Sequence, residues 1–320
     1  MNVFLAGGSG AIGVPLVRAL VAAGHSVTAL TRSPANEAKL RALGAAPAVA
    51  DALDADALRR VVVGAHPTHV IHQLTALPKG GPRSARDLVP TNRLRIEGTR
   101  NLIAAAVAAG AQRIIGGSFA LLGTSNATTQ TRRLEEEQHL LIRAFVPSWL
   151  HFGVQDADDA VRSMESQILE ASRIEGVVLR YGLFYGPETG STVQMVALAR
   201  RRMLPAIRGD RGLLPCIHVD DAATATLAAL DRAPAGSTYD IVDDRAVSMS
   251  EIARAIAAAT GAPQPIAVPS WLPRLVAPYM ARMIAIRLPL SNEKARAELG
   301  WYPAFPTIDE GLSQTLRHAA

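Results

Sequence analysis

Three glycines at three-residue spacing, Gly7, Gly10 and Gly13, follow the short apolar run 2–6 and open an apolar helical pattern. No other feature narrows the fold as much. A helix start leaves its first backbone N–H groups without intrahelical partners. Glycines before it permit a tight turn and a close approach of the backbone. Strand, glycine loop and helix in this order form a cradle for phosphate, and the spacing points to the diphosphate of a dinucleotide.

The rest of the chain repeats the strand-then-helix rhythm. Strand candidates lie at 2–6, 26–31, 46–50, 69–74, 113–117 and 177–180. Helix candidates lie between them at 11–23, 34–43, 55–63, 85–109 and 156–174. Such alternation signals right-handed crossovers and a parallel sheet. Strands with few polar positions, such as Val70-Ile71, fit a sheet covered on both faces. The predicted class is α/β, a Rossmann-type doubly wound parallel sheet over residues 1–186, with later sheet elements near 214–245. After residue 186 prolines and short segments take over, with helix patterns at 248–260, 271–286 and 292–299. Residues 187–320 read as a smaller, interleaved substrate-binding domain. The apolar face of 271–286, with Leu272, Leu275, Tyr279 and Met283, suits core, a dimer surface or a substrate wall.

Of 320 residues, 49% are hydrophobic, enough for a sizeable core. No apolar run reaches the length of a membrane span. The strand beginning at residue 2 leaves no room for a signal peptide, and the single Cys216 excludes an intrachain disulfide. These features lead us to expect a cytoplasmic protein that acts on a small molecule. The net charge of +5 comes almost wholly from scattered arginines, with aromatics at 4%. That composition speaks against nucleic acid as a partner. Arg200-Arg-Arg202 reads as a solvated helix end, with an anionic substrate or a dimer contact as the alternatives.

In a doubly wound sheet the end of the second strand meets the adenosine ribose. An acid there selects NAD, and an arginine accommodates the 2′-phosphate of NADP. Here Thr31 holds the acid position, and Arg32 and Ser33 follow it. A guanidinium and two hydroxyls bind a phosphate that a carboxylate would repel, so NADPH is expected over NADH. Asp51, with Ala52 behind it, is placed either to accept from the adenine amino group or to cap the following helix.

These motifs resemble the short-chain dehydrogenase/reductase superfamily in its extended form, the NAD-dependent epimerase/dehydratase-like proteins. Gly7, Gly10 and Gly13 match its glycine motif. Arg180-Tyr-Gly-Leu-Phe-Tyr-Gly-Pro187 is similar to the segment lining the nicotinamide side, and Ile217-His-Val-Asp-Asp221 to a strand-to-helix step. Ser291-Asn-Glu-Lys-Ala, Leu299-Gly-Trp-Tyr-Pro303 and Glu310-Gly-Leu312 resemble the C-terminal signature. The resemblance implies that Gly7, Ser9, Gly10, Ala11 and Ile12 wrap the diphosphate. It implies that Leu74, Thr75 and Ala76 flank the riboses, and that Tyr181, Gly182, Leu183 and Phe184 border the nicotinamide with Gly117 and Ser118 beside them. It gives His218 a structural role, and a homodimer is a family expectation.

The family's acid machinery is a serine or threonine with a tyrosine and, four residues later, a lysine. Ser118 matches the serine. The tyrosine–lysine pair does not exist: Tyr181 is the first tyrosine, and no lysine lies between Lys79 and Lys294. The pattern puts Ala157 and Val161 in those places, and Arg95 where an asparagine is usual. Replacement proton donors are Tyr181 or Tyr185, then His151. The connection from Ser118 to Asp156 is long and holds a helix candidate at 131–145 and then Trp149, His151 and Phe152. It suits a lid, or surface packing and dimer contact.

No metal set is expected, because His69 and His72 point to opposite faces of one strand. Three functions fit. The first is an NADPH-dependent reductase of a small, largely apolar cyclic or aromatic metabolite. The second is a non-catalytic NADP(H)-binding sensor or scaffold. The third is an epimerase, isomerase or dehydratase that retains its cofactor.

Overall fold

The computed structural model describes residues 1–78, 80–82, 84–120, 152–187, 189–276 and 287–316. Its centre is a seven-stranded, all-parallel sheet. In chain order the strands are β1 (Asn2–Ala6), β2 (Ser26–Thr31), β3 (Ala46–Val49), β4 (His69–His72), β5 (Arg113–Phe119), β6 (Glu175–Tyr181) and, after an excursion, β10 (Thr238–Ile241). Their spatial order is β10-β6-β5-β4-β1-β2-β3. The order reverses between β1 and β4, and in such sheets ligands bind in the crevice outside the carboxyl ends at this reversal. The predicted doubly wound class is the observed one.

Parallel strands are buried on both faces because crossover helices cover them. One face carries Val3, Leu5, Ile71, Ile115, Val177, Leu179 and Tyr181. It packs against α1 (Gly13–Ala22) and α8 (Val219–Arg232). The other face carries Phe4, Val70, Ile114 and Val178. It packs against α3 (Ala55–Ala65), α5 (Thr99–Ala108) and α6 (Phe152–Leu169). A third core, with Tyr185, Leu214, Val247, Ile252, Ile256 and Leu312, joins α7 (Gly190–Arg200), α9 (Met249–Thr260) and α12 (Ile308–Leu316). Two small parallel pairs flank it: β7 (Leu183–Tyr185) with β9 (Cys216–His218), and β8 (Ala206–Ile207) with β11 (Ala267–Val268).

The helix expected at 85–109 is broken into pieces. A 3-10 turn (Ala85–Leu88) precedes α4 (Val89–Arg93), a π-turn (Leu94–Gly98) and then α5. Pro90 lacks an N–H to continue a helix from behind and suits a first turn. α6 starts earlier than expected and ends at Leu169, where Gly176 presses on the Ile168 carbonyl. α10 (Trp271–Val276) covers the start of the 271–286 pattern, and the remainder of that pattern lies outside the described residues, as does the 131–145 candidate.

Candidate active site

The glycine loop sits at the reversal point. Gly7 has φ +101°, a left-handed conformation that a side chain disfavours, and a Cβ there would lie 2.6 Å from the Gln73 carbonyl oxygen. A Cβ at Gly13 would overlap the Gly7 carbonyl. The loop is therefore closed on itself and held against the end of β4. No side chain caps the start of α1, and no acid stands in its first turn. This is an N-terminus left open for an anion. The cradle fits a dinucleotide diphosphate, with Ser9, Gly10, Ala11 and Ile12 forming its rim.

At the end of β2, Thr31 is buried and its Oγ1 is a junction. It accepts from the Ser33 backbone N–H at 3.3 Å and from Asn36 Nδ2 at 3.0 Å, and it lies 3.4 Å from Ser9 Oγ. Arg32 and Ser33 are exposed beside it. Asn36, absent from the sequence expectations, thus helps fix the turn that presents Arg32. Asp51 turns one oxygen onto the Leu53 N–H at 2.9 Å. The capping of α3 falls to Asp54, which accepts from the Ala57 N–H. Ala52 is buried, and its carbonyl accepts from Asn101.

The end of β4 is braced from the α5 side. The Leu74 N–H donates to His72 Nδ1 at 3.2 Å, and the Ala76 N–H to Thr91 Oγ1 at 2.9 Å. His72 Nε2 lies 2.8 Å from Thr99 Oγ1. With Nδ1 accepting, the ring is neutral and Nε2 carries the proton. Burial, and then the nearby Arg95 guanidinium, hold its pKa down at about 4. Thr75 is exposed between the two braces.

The next two strands meet at the decisive contact. Ser118 and Arg180 are register partners on β5 and β6, so their side chains leave the same face. Glu165 of α6 reaches both. Ser118 Oγ donates to its Oε1 at 2.5 Å, and Arg180 forks onto the carboxylate with Nε at 2.9 Å and Nη2 at 2.6 Å. All three are buried. α6 comes this close because Gly116 yields space to Ile168. One and two turns before Glu165, Val161 and Ala157 face the sheet, both buried and without a polar atom. An acid–cation network therefore stands behind Ser118, and Glu165 is a site residue that the sequence analysis did not include.

Tyr181 lies on the opposite face. Its hydroxyl is 2.7 Å from Thr226 Oγ1 and accepts from Gln73 Nε2 at 3.0 Å. Burial pushes its pKa up to about 12. A Cβ at Gly117 would overlap the Gln73 amide. The structure thus places Tyr181 in a core brace, away from Ser118. Gly182 lies against the Pro215 carbonyl, and Leu183 and Phe184 enter β7, with the Phe184 ring 5.3 Å from that of Tyr181. The Tyr185 hydroxyl donates to the Thr307 carbonyl at 3.3 Å, and burial raises its pKa. Neither tyrosine stands beside Ser118, as a proton donor would have to. His151, Trp149 and the expected lid lie outside the described residues.

His218 caps α8, its Nδ1 accepting from the Asp220 N–H. The buried Asp221 accepts from the Ala304 and Phe305 N–H groups and so pins the C-terminal segment. A shallow concavity lined by Arg59, Ala104, Gln112 and Arg173 lies at the amino ends of the strands, the wrong edge for this chemistry. Among the described residues no cluster of three metal-ligating side chains occurs, and no helix is long and apolar enough to cross a membrane.

The profile of the NAD dependent epimerase/dehydratase family matches residues 3–242. The chain belongs to that family. A relative from Streptomyces sp., a 3-diazoavenalumate denitrifying reductase, is 36% identical over 98% of this chain and 100% of its own length. The fold is shared with UDP-glucose 4-epimerase of Thermus thermophilus in complex with NAD, at TM-score 0.75 and 23% identity over 99% of this chain and 98% of that one. It is also shared with a human epimerase family protein solved with NADPH, at TM-score 0.71 and 19% identity over 99% of both chains. Family membership makes the protein an NAD(P)-dependent, oxidoreductase-type enzyme. At the helix positions where the sequence pattern puts the family's tyrosine and lysine stand the buried Ala157 and Val161, and Glu165, held by Arg180, accepts from Ser118.

Proposed function

We propose that the protein is an NADPH-dependent reductase of a small, largely apolar cyclic or aromatic metabolite whose reacting centre needs no proton from a tyrosine. The observation that carries this reading is the Ser118–Glu165 hydrogen bond beside apolar Ala157 and Val161. When bound, the reduced nicotinamide supplies a hydride. Gly7 to Gly13 would hold the diphosphate, Arg32 and Ser33 the 2′-phosphate, Asp51 the adenine edge, and Leu74 to Ala76 the riboses.

Ser118 gives its proton to Glu165, so toward a substrate it presents lone pairs. That suits an electron-poor partner better than a carbonyl oxygen gathering negative charge. Iminium and diazonium centres are such acceptors; in a quinone or conjugated enone the charge reaches oxygen as a delocalised phenolate or enolate, which a weaker acid than the family's tyrosine can serve. A diazonium releases dinitrogen as it is reduced and draws no proton from the protein, and the Streptomyces relative is a 3-diazoavenalumate denitrifying reductase.

The test mixes purified protein and NADPH with an aryl diazonium, a cyclic iminium, a quinone, an enone and a ketone, and follows the loss of reduced-cofactor absorbance. Turnover with members of the first four classes in preference to the ketone is expected. Tight NADPH binding without turnover on any of them would instead favour the sensor or scaffold reading. Cofactor retained through purification with no net consumption would favour internal redox chemistry.

A further inference from the structure

Arg95 is a cation that the site does not balance. It lies in the π-turn Leu94–Gly98, a helix irregularity that is frequent at functional sites. Its side chain is buried, with 7% exposure. Among the described residues its one hydrogen bond is long, from Nη1 to Asn92 Oδ1 at 3.4 Å. No carboxylate of the described residues stands at ion-pair distance. The acid whose charge it feels is Glu165, and both oxygens of that group are taken by Arg180, with Ser118 on one of them. On the neighbouring strand His72 is neutral. Arg93, on the adjoining turn, pairs with Glu97 at the surface.

The turn that carries Arg95 is tied to both sides of the Ser118 face: the Ile96 carbonyl accepts from Gln167 Nε2 of α6 at 3.2 Å, two residues on from Glu165, and Thr99, one turn after Arg95, lies 2.8 Å from His72 Nε2 at the end of β4. Burial lowers the Arg95 pKa to about 10, so it remains charged at neutral pH. A buried guanidinium presents a planar fork of donors and is costly to leave unpaired. The fork matches a carboxylate.

We propose that Arg95 is a substrate-binding residue that receives a carboxylate carried by the substrate beside Ser118. This rests on the reading of the Ser118 face as the substrate site and narrows the substrate class to an aromatic or cyclic acid.

The experiment begins with NADP+ titration by calorimetry, then uses the NADP+-loaded protein. Benzoate, salicylate, cinnamate and 3-phenylpropanoate are each compared with their primary amides. At least one acid is expected to bind about tenfold or more tightly than its amide. Arg95→Gln should level acid and amide to within about twofold while leaving NADP+ affinity unchanged, and Arg95→Lys should keep part of the preference. The inference is overturned if no acid outcompetes its amide, or if the preference survives in Arg95→Gln. It is also overturned if Arg95→Gln weakens NADP+ as much as the acid, which would put Arg95 on the cofactor. Should Arg95→Gln fail to fold, the wild-type comparison and Arg95→Lys decide. A wild-type protein that takes up no NADP+ removes the underlying reading as well, and the first titration shows this separately.

Discussion

Ser118 and Arg180 stand opposite one another in the β5–β6 register and share one carboxylate, that of Glu165. Behind the serine stands a closed ion pair, and the helix positions one and two turns before Glu165, Val161 and Ala157, carry no proton donor. A buried pair of this kind is costly to form, and its geometry compensates only while both partners are present. Glu165→Gln should therefore destabilise the fold by about 3–5 kcal/mol, because the Arg180 charge stays buried without its carboxylate. The double change Glu165→Leu with Arg180→Met should recover most of that loss. Urea unfolding of the three proteins checks this; a single-variant loss below about 1 kcal/mol would mean water reaches the pair.

Much of the sheet is legible in the chain because its signals are local. Residues 2–6 followed by the glycine loop, and the apolar runs at 26–31 and 113–117, coincide with strands of the structure. Arg180 and Tyr181 show where local reading stops. As neighbours on one strand they must point to opposite faces, so the register that sets Arg180 beside Ser118 also removes Tyr181 from it. The pleat was readable, but the partner strand's register was not. Glu165 is 47 residues from Ser118 in sequence, and no periodicity links an acid on a helix to a hydroxyl on a strand. Helix 219–232 carried a readable signal, with Asp220 and Asp221 in its first turn. Its start was expected as the strand-to-helix step at 217–221, while the alanine-rich body up to Arg232 was not among the expected helices.

Arg32 is exposed at the end of β2, on the turn that Thr31 and Asn36 hold in place. A charge-assisted phosphate contact is worth roughly 1.5–3 kcal/mol. Arg32→Ala should weaken NADPH by about ten- to a hundredfold and leave NADH within about twofold. Fluorescence titration of both nucleotides measures it. Equal weakening would place the 2′-phosphate elsewhere.

Two glycine replacements should move in opposite directions. A methyl at Gly13 meets the Gly7 carbonyl, whereas a methyl at Gly64, in the last turn of α3, meets nothing within 4 Å. Gly13→Ala should cost about 1–3 kcal/mol in strain and cut nucleotide affinity at least about tenfold. Gly64→Ala should raise stability by about 0.5–1 kcal/mol through helix propensity and leave nucleotide binding alone. Thermal melts with and without NADP+ separate the two. If Gly13→Ala binds normally, the loop has room that its closed shape denies.

Asp243 gives the stability curve a distinctive slope. It is buried, and neither carboxyl oxygen makes a hydrogen bond of normal geometry. The Tyr185 hydroxyl approaches it but donates to Thr307 instead. Burial is the main cause that raises its pKa from 3.8 to about 8. In this window the folded state holds a proton that the unfolded chain has released, so stability falls as pH rises from about 4 to about 8 and then levels. His72, neutral in the fold with its pKa lowered to about 4, works the other way, adding stability as pH rises from about 4 to the ordinary histidine value of 6.5. The two oppose one another below about 6.5, and above it Asp243 acts without that offset. Between pH 6.5 and 8 the folded protein should lose about 2 kcal/mol on its account. Asp243→Asn, which cannot ionise, should flatten that limb in denaturant melts taken across the range. An unchanged slope in the variant would mean that Asp243 is already ionised in the fold at neutral pH.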